Sequence, residues 1–317
     1  MVWMQTSAGG MPGPKLQLME SSVGGVFTLL PPFMRQMMIA LREAGAYSFL
    51  SMGAVIVLAR RMIMQKDQMR IDGKLVLVNG ATSRLGCELC AQLSRRGANI
   101  IMVGAKGRPM ESYKTQIEDK ASASAALIFT RECNCSDGKS VEAMVREVTT
   151  SIGVPDVVIQ LVEGSHRPLT GLSHQQVRDD FEEAMLPLPY LARSLLRSML
   201  QKRAGAIVLV QSAVSRGHWQ NSTLMVAAGW GLRGLLGALS ADLAGTHVMV
   251  QEVVLPYEHD QLPESVERTS VRDAAAVISA LENRLPLSFA GVPKAVPEAV
   301  YPVVCHFILM SLPRVFR

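Results

Sequence analysis

The stretch Lys74 to Gly86, KLVLVNGATSRLG, constrains the fold of this chain more than any other. Leu75 to Val78 is an aliphatic run of strand length, and Gly80 ends it with a turn. The segment that follows, CELCAQLSRRG, carries apolar residues at helical spacing and stops at Gly97. Strand, glycine turn and helix in that order form the opening unit of a nucleotide-binding α/β sheet.

The residues from 71 to about 256 continue the alternation. Strands are expected at Leu75–Val78, Asn99–Val103, Ala126–Thr130, Asp156–Leu161, Ala206–Gln211 and Val248–Val254, with helical segments between them and a seventh strand available at Leu287–Ala290. Right-handed crossovers then predict a doubly wound, mostly parallel Rossmann sheet of order 3-2-1-4-5-6. A length of 317 residues and 49% hydrophobic content suit one large α/β domain with extensions rather than two full domains.

The wording of the segments is more specific than their period. NGATSRLG (79–86) resembles the TGASSGIG-type turn of the short-chain dehydrogenase/reductase family, CNCSD (133–137) its CDVSD, and GAIVLVQS (205–212) its GxIVxxSS strand. GWGLRGLLGALSADLA (229–244) is similar to the helix after that family's active site. Together they cover most of the span from 71 to 256, and the tail resembles the membrane-bound 3-ketosphinganine reductase and hydroxysteroid dehydrogenase branches.

The resemblance implies carbonyl reduction by a Tyr that donates the proton, a Lys that lowers its pKa, a Ser that polarises the carbonyl and an Asn on a relay. Ser212 stands at the serine place, but Met225 and Gly229 stand where the family's YxxxK has Tyr and Lys. Between Lys202 and Tyr257 there is neither Tyr nor Lys, and from Cys135 to Gln220 there is no Asn. Met and Gly can neither donate a proton nor carry the charge. Ser212 is therefore expected to be a leftover hydroxyl, and His218, in the loop beyond it, an exposed histidine rather than a substitute acid. Tyr257 follows Pro256 where the family has glycine beside the nicotinamide, so its ring is expected to fill cofactor space.

Cofactor recognition is weakened in parallel. Gly80, Ser83 and Gly86 keep the turn's pattern, but Arg84 replaces the middle glycine that lets a pyrophosphate approach. Lys106 and Arg108 follow strand two, where the resemblance implies an acidic residue for NAD or a cation for NADP. Asn134 takes the place of an aspartate at the adenine, and the family's NNAG has become LVEG (161–164), which leaves Gly164. The expectation is weak or absent binding, with NADPH the dinucleotide to test and Arg84 able to pair with a phosphate itself.

The flanks point to a membrane. Residues 1–43 read as an extended arm and a short amphipathic helix, and 44–66 as an apolar run of 16 residues (44–59) closed by Arg60, Arg61 and Lys66. The run rises roughly 24 Å as a helix, short of a bilayer core but within reach of snorkelling and thinning; a buried core helix is the alternative. The Rossmann region occupies 71–262. After it, 263–317 holds a helix expected to open near Thr269 or Ser270 and the Pro-broken apolar tail YPVVCHFILMSLP (301–313), read as an interfacial segment or as one buried on the core. Nineteen methionines and a mean hydropathy of +0.21 agree with a bilayer or a large buried contact.

Partners and ions are bounded by what is missing. The net charge of +5 is spread without a basic run among aromatics, so no nucleic-acid partner is expected. Cys87 and Cys90 on a helix and Cys133 and Cys135 after a strand lack the context of a zinc site, and no metal is expected. Five cysteines without a secretory cleavage pattern suggest a reducing compartment. The functional expectation is a catalytically inactive member of that family, a structural or accessory subunit of a membrane complex beside other subunits and lipid, with the mitochondrial inner membrane preferred to the endoplasmic reticulum. The rivals are an NADPH-dependent reductase of a lipid-like carbonyl and a non-catalytic NADPH sensor.

Overall fold

A computed structural model describes residues 68–121, 126–162, 167–216, 221–256, 263–284 and 287–289. The expected arm, anchor segment and tail, and Gly164, His218 and Tyr257, lie outside them.

Seven strands, β1 (Leu75–Asn79), β2 (Asn99–Gly104), β3 (Ile128–Glu132), β4 (Val157–Leu161), β5 (Gly205–Ser212), β6 (Val248–Leu255) and β7 (Leu287–Phe289), form one sheet. Its order is β3-β2-β1-β4-β5-β6-β7, with every pair parallel. Helices α1 (Arg84–Arg95), α2 (Met110–Ala121), α3 (Gly138–Ser151), α4 (His174–Met185), α5 (Pro187–Lys202), α6 (Thr223–Asp242) and α7 (Pro263–Glu282) connect and cover it. This is the expected doubly wound Rossmann architecture, extended by the seventh strand.

The near-continuous apolar strands follow from burial on both faces. Successive residues alternate between two cores. Val76, Val78, Ile100, Met102, Val208 and Val210 pack with α1, α2 and α7 on one side. Leu77, Ile101, Val103, Ile207 and Leu209 pack with α3, α5 and α6 on the other.

Two local expectations are corrected, for β3 and for the start of α7. Strand β3 runs two residues later than Ala126–Thr130: Leu127 is exposed, its amide held by the Asn99 side chain at 2.9 Å, while Arg131 and Glu132 pair with Val103 and Gly104. An edge strand tolerates such polar residues because one of its sides faces solvent. The Pro187-x-Pro189 pair starts a helix: Pro187 sits in the first turn of α5, where its missing N–H costs nothing. Helix α7 opens at Pro263, about six residues before Thr269, by the same device.

Both α7 and β7 lie beyond residue 262 and still belong to the core. Ala274, Val277, Ile278 and Leu281 of α7 are buried against the α1 side, and β7 pairs with β6.

Among the described residues one helix, α6, is long and apolar enough to cross a membrane, with 28% of its apolar window buried. It crosses over between parallel strands and seats Leu232 and Leu236 in the core, so it is a layer of the α/β fold with an apolar outer side. Trp230 is half exposed there, with the Arg233 guanidinium 5.9 Å from its ring centroid. That outer side gives limited support to membrane association.

Candidate functional site

The strand order reverses between β1 and β4, and a doubly wound sheet opens a crevice at the carboxyl ends of such strands. The crevice here has a volume of about 570 Å³. Asn79 and Gly80 form its floor, Lys106 and Arg108 one wall, and Asn134 the rim after β3. The opposite wall is acidic, with Asp179, Glu182 and Glu183 of α4.

The turn between β1 and α1 explains its own sequence. Gly80 has φ +85°, in the left-handed region, and a Cβ there would lie 3.1 Å from that of Leu161. Ser83 caps α1, its Oγ accepting from the Gly86 amide at 2.9 Å. A Cβ on Gly86 would lie 2.8 Å from the Ala81 Cα, so this glycine is required for helix and turn to meet. Arg84 is the first residue of α1 and exposed. Of the cofactor positions named above, Gly80, Lys106 and Asn134 line the crevice, whereas Ser83, Arg84 and Gly86 form the turn behind it.

A buried polar chain ties the strand ends together beneath this crevice. The Cys135 thiol donates to Asn79 Oδ1 at 3.3 Å, Asn79 Nδ2 to Gln160 Oε1 at 2.8 Å, and Gln160 Nε2 to the Leu161 carbonyl at 2.8 Å. Cys133 lies 3.5 Å from the Ser140 hydroxyl. Interaction with the neighbouring Cys135 side chain brings the Cys133 thiol down to about 7 against the effect of burial, with Ser140 and Lys106 acting in the same direction. The same interaction, together with burial, pushes Cys135 up. Asn134 is engaged locally, its Oδ1 accepting from the Ser136 amide at 3.2 Å.

The three catalytic positions stand apart from the crevice lining. Ser212 ends β5, and its Oγ accepts from the Val214 amide at 3.3 Å. Met225 is buried in α6. Gly229, one turn further on, packs against Ser215: a Cβ would lie 2.9 Å from the Ser215 carbonyl oxygen and 3.0 Å from its hydroxyl. Neighbouring backbone thus occupies the space where a lysine would begin.

The residues present fit one half of a dinucleotide. Gly80 leaves the floor open, and Lys106 and Arg108 can meet a phosphate. They do not fit the reacting half, where no side chain at 225 or 229 can donate a proton or hold a ribose. The three carboxylates on α4 further oppose an anionic ligand.

Sequence reasoning missed the acidic wall and the polar chain. Their signals are the run DDFEE (179–183) and the polar residues that close LVLVN and VVIQL at Asn79 and Gln160. All four described cysteines are buried, Cys87 and Cys90 on α1 and Cys133 and Cys135 in the core on the other face of the sheet, where they also border the crevice.

Comparison with known proteins agrees with the geometry. Residues 74–267 match the short chain dehydrogenase family. The 3-oxoacyl-(acyl-carrier-protein) reductase of Vibrio cholerae is 23% identical over 237 residues, 74% of this chain and 94% of its own. Dehydrogenase/reductase SDR family member 7 of Mus musculus is 26% identical over 184 residues, 56% of this chain and 53% of its own. Among solved structures, a metagenomic short-chain oxidoreductase in complex with NADP superposes with TM-score 0.59 at 19% identity, covering 70% of this chain and 96% of that one.

Proposed function

The chain belongs to the short chain dehydrogenase family, and we propose that it has given up carbonyl reduction and serves as a structural or accessory subunit of a membrane protein complex. One observation carries this reading: the contact of Gly229 with Ser215. A site that had merely lost its lysine would keep the room for one. Here the chain has closed over it, while the sheet and both cores remain intact. Fold and function separate in this way because the core and the site draw on different residues.

Two further features support a place in a membrane assembly: the apolar segments at both ends of the sequence, and the outward apolar side of α6. The mitochondrial inner membrane is preferred to the endoplasmic reticulum as the setting. The test is the native mass after gentle detergent extraction, with the co-migrating chains identified. A large assembly of fixed stoichiometry is expected; a monomer or small homo-oligomer would sink the proposal.

A second reading rests on the crevice. With Gly80 at its floor and Lys106 and Arg108 on its wall, the protein would bind NADPH without turning it over, as a sensor. Titration calorimetry with NADPH decides it: heat that vanishes in a Lys106→Glu, Arg108→Glu variant supports the sensor, and no heat in the unmutated protein ends it. The relatives are reductases by name. NADPH absorbance that falls over a panel of keto-lipids would restore the enzyme reading.

A further inference from the structure

At the opposite, amino end of the strands, where β1, β4, β5 and β6 begin, lies a cavity of about 750 Å³ that no part of the dehydrogenase chemistry uses. Arg70, Lys74, Arg203 and Arg284 converge on it from three separate segments of chain. The acid on the same wall, Asp156, is already engaged: it accepts from the Leu75 amide at 3.0 Å and pairs with Lys202 at 2.7 Å and Lys74 at 3.8 Å. No carboxylate among the described residues lies within ion-pair distance of Arg70, Arg203 or Arg284.

The backbone adds an independent observation. Three non-glycine residues among those described have positive φ: Asn221, which tolerates it, and Arg203 (φ 53°) and Arg284 (φ 52°). Arg203 directly follows α5 and Arg284 stands two residues beyond the last residue of α7, each where a left-handed glycine commonly ends a helix. Attraction of a cation to a helix C-terminus accounts for charge there. It does not account for a strained backbone at both sites, nor for Arg70 and Lys74 meeting the arginines from the segment before β1. The helix ends α5, α6 and α7 each contribute roughly half a negative charge, and positive charge remains after these and Asp156 are counted. Leu243, Val248 and Val250 give the same cavity an apolar side.

We propose that this cavity binds a phosphate-bearing amphiphile, with the forked guanidinium groups of Arg70, Arg203 and Arg284 on the phosphate and the apolar side beneath its first carbons. The shared chemistry is a phosphate ester. Its source is either an acidic lipid headgroup or a soluble organic phosphate. In sequence, Gln68 at the cavity follows the Arg60, Arg61 and Lys66 flank of the apolar run 44–59, which favours the lipid. The site is independent of the dinucleotide crevice and of the subunit role.

The experiment is titration calorimetry of the full chain in neutral detergent with three probes: monomeric dihexanoyl phosphatidic acid, dihexanoyl phosphatidylcholine and inorganic pyrophosphate. Phosphatidic acid binding without phosphatidylcholine binding assigns a headgroup; pyrophosphate binding at least as tight assigns a soluble phosphate. In both cases the Arg203→Gly, Arg284→Gly double variant weakens binding by about tenfold or more, while its thermal midpoint stays level or rises because glycine relieves both positive φ values. Arg203→Lys with Arg284→Lys keeps the charge, loses the fork and recovers binding only in part. Absence of heat with all probes, or heat unchanged in the glycine variant, overturns the site. Neither result bears on native mass, so failure here is separate from failure of the subunit proposal.

Discussion

Gly229 of α6 lies against Ser215 so closely that a Cβ on the glycine would meet the serine's carbonyl oxygen at 2.9 Å. Restoring the family's pair by Met225→Tyr with Gly229→Lys is therefore expected to leave the protein inactive. It should also lose about 1–3 kcal/mol of stability through overpacking. NADPH oxidation and thermal unfolding of the double variant check both halves. Recovered turnover, or an unchanged melt, would show that the space is open.

Gly86 makes the corresponding point at the other end of the site. Its Cβ would strike the Ala81 backbone, so Gly86→Ala is expected to cost roughly 1–3 kcal/mol. Arg84→Ala, at an exposed position of the same turn, should change the denaturant midpoint little. Equal effects from the two substitutions would contradict this account of the turn.

The thiols should divide by environment. Cys133 is only 2% exposed but borders the crevice, and, brought down to about 7, it is expected to react with iodoacetamide faster than Cys90 and at a rate that rises through neutral pH. Cys90, pushed up by burial and then by Cys87, should stay unlabelled in the folded protein. Mass spectrometry of timed samples reads this directly. Labelling of Cys90 before Cys133 would refute it.

At Asp156, burial raises the pKa, but the Leu75 amide, Lys202 and Lys74 together outweigh it and hold the carboxyl below its ordinary value. The folded state then binds this proton less tightly than the unfolded chain does. The stability it contributes is complete above the ordinary carboxylate pKa and is lost as pH falls through the folded value. Asp156→Asn should be destabilising by about 1–3 kcal/mol at neutral pH. The gap from the unmutated protein should narrow in acid; a gap that stays constant with pH would mean the charge is not responsible.

The sheet was legible because its signal is local. Runs such as LVLVN and GAIVLVQS can only be strands buried on both faces, and their order follows from crossover handedness. The edge strand was misplaced because Leu127 looks like core in sequence and becomes surface only when β3 has a single neighbour. At the site, the loss of Tyr and Lys could be read from Met225 and Gly229, but Ser215 filling the gap could not: that contact joins the turn after β5 to α6 and exists only in three dimensions. The basic cavity was equally hidden. Arg70, Lys74, Arg203 and Arg284 span more than two hundred positions and show no pattern along the chain.

The pairing of α1 with α7 has a consequence for how the protein is made. Gln92 of α1 donates to the Val271 carbonyl of α7 at 3.0 Å, across 179 positions of sequence. Translation completes α1 before the other helices of the sheet, yet the surface that covers Leu89 and Leu93 emerges from the ribosome only after β6 has been made. Until then α1 presents an apolar stripe to solvent or to a chaperone. A chain that stops between Arg95 and Pro263 lacks the partner that hides this stripe, so such a truncation should be recognised by quality control even when six of the seven strands are complete.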